Sequence, residues 1–151
     1  SRITLICIIL NFLIMSANKK IQFQIHEVNE TGYEYNEQLA PIADEQFQIR
    51  IGLRFEAKDN YFTMEAKVLC LNNKDVFLTY SAEWVFVFKD INEVFILGDS
   101  ITDKAGIMPT LADVAVNGIR GMLALKTKEL PIGSIVLPYV RGVNLLEKAI
   151  V

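Results

Sequence analysis

The sequence predicts an α+β fold: a four-stranded antiparallel sheet with one face covered by a long helix and a short C-terminal helix. Three observations predict it. Residues 21–25, 46–55, 61–71 and 76–89 alternate apolar and polar side chains, the pattern of strands with one buried and one solvated face. Turn signals at Lys58-Asp59-Asn60 and Asn72-Asn73-Lys74-Asp75 join the last three of these into a meander. Helical spacing begins only after them, near Thr110, so the C-terminal third is free to cover the apolar face.

Each element has its own justification. In the first strand Ile21, Phe23 and Ile25 alternate with Gln22, Gln24 and His26. Val28 falls on the polar parity, which predicts a bulge or strand end near Glu27. Residues 29–43 are polar and read as extended or looping chain. In the second strand Phe47, Ile49, Ile51, Leu53 and Phe55 point one way, opposite Gln48, Arg50, Gly52 and Arg54. The third has Phe62, Met64, Ala66, Val68 and Cys70 as its apolar set. The fourth turns Val76, Leu78, Tyr80, Ala82, Trp84, Phe86 and Phe88 inward, with Phe77, Val85 and Val87 on the other parity. Residues 91–97 are apolar but too short for periodicity to assign. The long helix runs from Thr110 to about Lys126, with Pro109 before it and Asp113 placed as in a capping box. Its stripe is Leu111, Val114, Ala115, Gly118, Ile119, Met122 and Leu123, and Gly118 and Gly121 point to close packing. Pro131 and Pro138 bracket an extended piece, and a short helix at 143–149 carries Leu145 and Leu146.

The chain of 151 residues is sized for one domain, 21–151. Residues 1–20 stand apart as an apolar segment. Three readings of it remain open: sequence upstream of an initiator Met15, the apolar region of a signal-like leader, or an extra packed apolar helix. At 52% apolar and 22% charged residues, wholesale disorder is excluded. A net charge of -3 argues against nucleic acid as a partner, and no bilayer-spanning run is present.

The chemistry on offer is sparse. With two cysteines and one histidine, no disulfide framework, multi-histidine zinc site or other metal centre is expected. His26 sits on the polar parity as a solvated side chain, and Cys70 on the apolar parity as a small hydrophobe. No phosphate-binding glycine loop occurs, so no cofactor is expected. Glu65 and Glu83 share the outer face on neighbouring strands, where Lys67 and Arg50 make a solvated charge mosaic the simpler account. Nothing amounts to an enzyme signature, and the expectation is a non-enzyme. The aromatic load is the informative part. Tyr33 and Tyr35 lie in the polar stretch 30–38 and suit two readings: an open surface for extended peptide, or a lid on the sheet edge.

Taken in order, these features resemble the SecB family of export chaperones. The opening Phe23-Gln24-Ile25, the meander from Phe47 to Phe88, the Pro109 entry to a helix carrying Ile119-Arg120-Gly121, and Leu137-Pro138-Tyr139-Val140 before Asn144-Leu145-Leu146 carry the resemblance. Divergent SecB-like proteins, some of which serve toxin–antitoxin pairs, are a closer likeness. The resemblance implies ATP-independent holding of unfolded polypeptides, a cytoplasmic location, and a homo-oligomer built as a dimer of dimers. SecA or an antitoxin would be the dedicated protein partner. It implies polypeptide binding at Tyr33, Tyr35 and Trp84, and partner docking on the outer sheet face at Glu30, Glu34 and Glu83. Where family members carry the acidic residues that meet SecA, this chain has Gly32, Asn36 and Tyr80, and no acidic tail follows Ala149-Ile150-Val151. A second reading keeps the fold but gives the protein one dedicated partner and no general chaperone activity.

Overall fold

The computed structural model describes residues 2–3, 12–16, 19–42 and 45–146, with side chains from Ile21 onward. Its elements are β1 (Arg2–Ile3), β2 (Phe12–Ser16), β3 (Lys19–Tyr35), β4 (Gln48–Lys58), β5 (Tyr61–Asn72), β6 (Asp75–Phe88), a 3-10 turn (Ile91–Glu93), β7 (Phe95–Leu97), β8 (Ile101–Asp103), α1 (Met108–Lys126) and α2 (Gly142–Leu146). The four long strands form an antiparallel sheet in the order β3-β6-β5-β4, and the short β1 and β2 both add to the outer side of β3. The predicted sheet and its two helices are present. Within the apolar N-terminal segment Arg2–Ile3 and Phe12–Ser16 are strands, and residues 4–11 and 17–18 lie outside the described residues.

The meander follows the alternation closely. Phe62, Met64, Ala66, Val68 and Cys70 of β5 are all fully buried, and so is the inward set of β6 from Leu78 to Phe88. Each large side chain so placed contributes roughly 1.5–3 kcal/mol of transfer free energy. Val76 is an exception, 39% exposed, because the register slips between Cys70 and Leu71 and swings Phe77 into the core instead.

β3 differs most from expectation. It runs 17 residues, into the stretch read as extended or looping chain, and two register shifts break its period. The first, between Ile25 and Glu27, is the predicted bulge; the second lies between Glu30 and Gly32. Each extra residue moves the following side chains to the opposite face. Val28 thereby meets Trp84, Glu30 meets Ala82, and Tyr33 meets Tyr80, all on the inner side.

α1 lies on that inner face. Leu111, Ala115, Ile119 and Leu123, four apart, have no exposed surface. Its start is held differently from the predicted box. The Asp103 carboxylate, at the end of β8, accepts from the backbone N–H groups of Ile107 (3.0 Å) and Met108 (2.7 Å). Asp113 instead accepts from the Gly142 N–H at 2.6 Å and so joins α1 to the start of α2. Gly142 fits because a Cβ there would stand 2.6 Å from the backbone of Ala112 and Asp113. The 127–141 segment returns along α1. The buried Thr127 hydroxyl donates to Leu123 O (2.8 Å) and accepts from Ile135 N–H (2.7 Å), while Arg120 donates to Leu137 O (2.8 Å). The unassigned 91–97 piece is the 3-10 turn and the first arm of the β7–β8 hairpin, which lays Phe95 on Phe62 at 4.8 Å between centroids.

Candidate functional site

Three surfaces concern the residues singled out above. The first is a polar cluster on the inner face, where the end of β3 meets the C-terminus of α1. The Tyr80 hydroxyl donates to Glu30 Oε2 at 2.9 Å, and Lys126 Nζ donates to Oε1 at 3.1 Å. The same ammonium sits 4.8 Å from the centre of the Tyr33 ring, and Tyr33 meets Tyr80 edge-on at 6.0 Å. Burial alone would push the Glu30 carboxyl up. The Tyr80 hydroxyl and the Lys126 charge outweigh it and hold the carboxyl below its ordinary range. Tyr80 is pushed up, first by burial and then by Glu30. Lys126 also occupies the last turn of α1, where the helix dipole favours a cation. That position is its only sequence signal, and the sequence reading passed over it.

This geometry corrects two expectations. Glu30 does not lie on the outer sheet face, because the first bulge carries it to the helix side. Trp84 offers no open aromatic surface. It is 4% exposed, with its indole lying against Gly118 of α1. Tyr80 belongs to the core at 2% exposure, as its inward parity on the fourth strand requires. Tyr33 and Tyr35 are strand residues, half-buried against β6. The Tyr35 hydroxyl is buried with no partner among the described residues, and burial pushes its pKa up.

The second surface is the outer sheet face, where Glu34 and Glu83 do lie. Glu34 pairs across from Thr79, and Glu83 from Asn29. Glu83 and Glu65 are direct cross-strand neighbours, an arrangement that costs energy unless each finds a donor. Asn29 Nδ2 serves Glu83 at 3.0 Å, and Arg54 serves Glu65 at 3.2 Å. The charge mosaic is thus a row of hydrogen-bonded groups crossing the sheet. A shallow cavity of about 340 Å³ opens on it beside Arg54, Thr63, Glu65 and Glu83. His26 stands at the neighbouring edge, its ring 5.2 Å from that of Tyr61.

The third surface is β4, the last strand of the sheet. Its inward side chains Ile49, Ile51, Phe55 and Ala57 are only half-buried, although their partners on β5 are fully buried. α2 packs beside them, with Leu145 and Leu146 partly buried against the core. Between β3 and β4, residues 36–39 and Phe47 close over the β5–β6 turn. Asn36 N–H donates to Phe77 O at 2.8 Å, Asn72 Nδ2 donates to Leu39 O at 3.2 Å, and Phe47 meets Phe77 edge-on. A half-covered apolar row beside a short helix is a surface on which extended apolar chain can lie. Alternation revealed the row. Its partial exposure follows from edge position, which alternation does not report. Cys70, beneath it, is inert: burial pushes its thiol up to about 12.

No family model matches the chain, and no curated protein matches it. Among solved structures it is similar to the SecB-like chaperone of Mycobacterium tuberculosis, determined in complex with a ChAD peptide from the HigA1 antitoxin. The TM-score is 0.56 at 10% sequence identity, over 78% of this chain and 87% of that one. The chain has the SecB-like fold. The protein it resembles in structure is a chaperone that binds a peptide of an antitoxin. Among the described residues, no helix is long and apolar enough to cross a membrane.

Proposed function

We propose that this protein is an ATP-independent SecB-like chaperone that holds unfolded polypeptides, with a toxin–antitoxin system favoured over general export as its setting. The observation that carries the reading is the half-open apolar row of β4 beside α2. It offers Ile49, Ile51 and Phe55 on a strand that has no further neighbour in the sheet among the described residues. A strand edge and an apolar row bind extended chain through backbone groups and alternate side chains, with little demand on sequence. The Mycobacterium tuberculosis chaperone, with its antitoxin peptide, supports the choice of setting. SecA is the less favoured partner, since of the three carboxylates assigned to docking only Glu34 and Glu83 face outward.

Tyr33 and Tyr35, on β3 and three strands away from β4, form a second, half-buried aromatic patch for the client. The protein works in the cytoplasm as a homo-oligomer, a dimer of dimers. The exposed apolar side chains of Leu125, on the last turn of α1, and of Val136 and Tyr139, in the segment after it, are its contact residues.

The test is binding of a fluorescent, chemically unfolded client. Replacing Tyr33 and Tyr35 with Ser weakens binding severalfold and leaves the circular dichroism spectrum unchanged. Unaltered affinity removes the tyrosines from the site. A second reading is favoured by the single antitoxin peptide in the related complex: one dedicated partner and no general activity. Tight binding of one peptide beside indifference to several unfolded clients would select it.

A further inference from the structure

We infer that the free edge of β4 takes an extended peptide by strand addition, and that this peptide carries acidic side chains on its outward face at every fourth position. The inference rests on the polypeptide-holding reading above and names the class of segment held.

Two independent features of β4 define such a peptide. The first is the edge itself. Among the described residues β4 ends the sheet order, and alternate residues of an end strand aim their N–H and C=O groups away from the neighbouring strand. An added strand would continue the pleat, so its inward side chains would extend the half-buried row of Ile49, Ile51 and Phe55. Those positions want apolar residues.

The second feature is charge. The outward residues of β4 are all exposed, and they include Arg50, Arg54 and Lys58 against the single carboxylate Glu56. Lys67 adds a fourth cation one strand in, opposite Gly52. This edge is basic in a chain whose net charge is -3. Arg54 is engaged by Glu65 at 3.2 Å, whereas Arg50, Lys58 and Lys67 make no ion pair among the described residues. The three cations of β4 stand four residues apart, about 13 Å at the strand rise. A partner strand with Asp or Glu at the matching spacing would put each carboxylate beside a cation, and directly opposed unlike charges stabilise strand pairs. At Gly52, midway between Arg50 and Arg54, a Cβ would meet nothing within 4 Å, so the outward side of the edge is open there.

Fluorescence anisotropy with the full chain tests this, using labelled peptides matched to the 11 residues of β4. The first peptide alternates Val with Ser and places Glu at every fourth residue. The second has Lys in place of Glu. The third is the Glu peptide with its outward-pairing amides N-methylated. The Glu peptide should bind at least about tenfold more tightly than the Lys peptide, with a preference that shrinks as salt rises. N-methylation should abolish its binding. Arg50→Glu with Lys58→Glu should invert the preference, and Arg50→Gln with Lys58→Gln should erase it. Neither pair of side chains holds a fold contact, so all variants should unfold like the parent.

Equal binding of the Glu and Lys peptides, or indifference to N-methylation, overturns the inference. So does a sedimenting dimer that is lost with the β4 substitutions, since a second copy would then own the edge. If no peptide binds while the chain still keeps unfolded clients from aggregating, strand addition fails and the holding function stands. Failure of both removes the holding function too.

Discussion

Gly118 of α1 lies against the indole of Trp84 on β6. A Cβ at residue 118 would stand 2.8 Å from Cε2 and nearer still to Cζ2. The glycine sets how closely the helix approaches the sheet at its largest side chain. Gly121, one turn on, has nothing within 4 Å of the same construction.

The two glycines therefore predict opposite outcomes. Alanine exceeds glycine in helix propensity by about 1 kcal/mol, while overpacking a core costs about 1–3 kcal/mol. Gly118→Ala should lower unfolding stability by up to about 2 kcal/mol, and Gly121→Ala should raise it by up to about 1 kcal/mol. Urea denaturation of both variants is the check. A stabilising Gly118→Ala would mean that the helix does not sit on Trp84.

Asp103 makes a separable prediction. Its carboxylate satisfies two of the N–H groups left free at the start of α1 from a strand end four and five residues upstream. Asp103→Ala should cost about 1–2 kcal/mol, and Asp103→Asn less, because an amide oxygen still accepts. Asp113→Ala should leave the start of α1 intact. Its loss should show as faster hydrogen exchange at the Gly142 amide. Equal damage to the start of α1 from Asp113→Ala would restore the local capping box.

Glu30 and Lys126 predict acid sensitivity with a definite sign. The folded carboxyl titrates below its unfolded value, so its contribution is fully present above the ordinary carboxylate pKa. It is lost as pH falls through the lower folded value. Lys126→Met removes the ammonium from Glu30 and keeps the Tyr80 hydrogen bond. It should raise the carboxyl pKa seen by carbon NMR and cost about 1 kcal/mol at neutral pH. The difference between variant and parent should fade below pH about 4, where the group is protonated in both. A gap that persists into strong acid would place the effect in packing of the lysine stem.

Much of the fold was legible because it rests on alternation. The β5 set from Phe62 to Cys70 is buried as its parity requires, and the Asn72–Asp75 turn sits where the polar cluster put it. The site was less legible, for physical reasons. Period-two reading fails once an extra residue enters the strand, and β3 takes two. Alternation therefore stops near Glu27, and the outer-face position of Glu30, taken from the family resemblance, had no register to check it. The helix cap was missed because Asp103 reaches α1 from another element, while the capping-box spacing of Asp113 was a coincidence of sequence. Trp84 was singled out for its aromaticity, yet the glycine that accommodates it lies 34 residues away across the core.

The central claim is that this fold holds unfolded chain without nucleotide. The most direct measurement adds the full-length protein, at equal molar amounts and without ATP, to several unrelated proteins diluted from denaturant, and follows light scattering. Suppressed aggregation is expected for all of them, with suppression reduced by charged substitutions at Ile49 and Ile51. Unchanged aggregation of every client, in the presence of a folded sample, would contradict it.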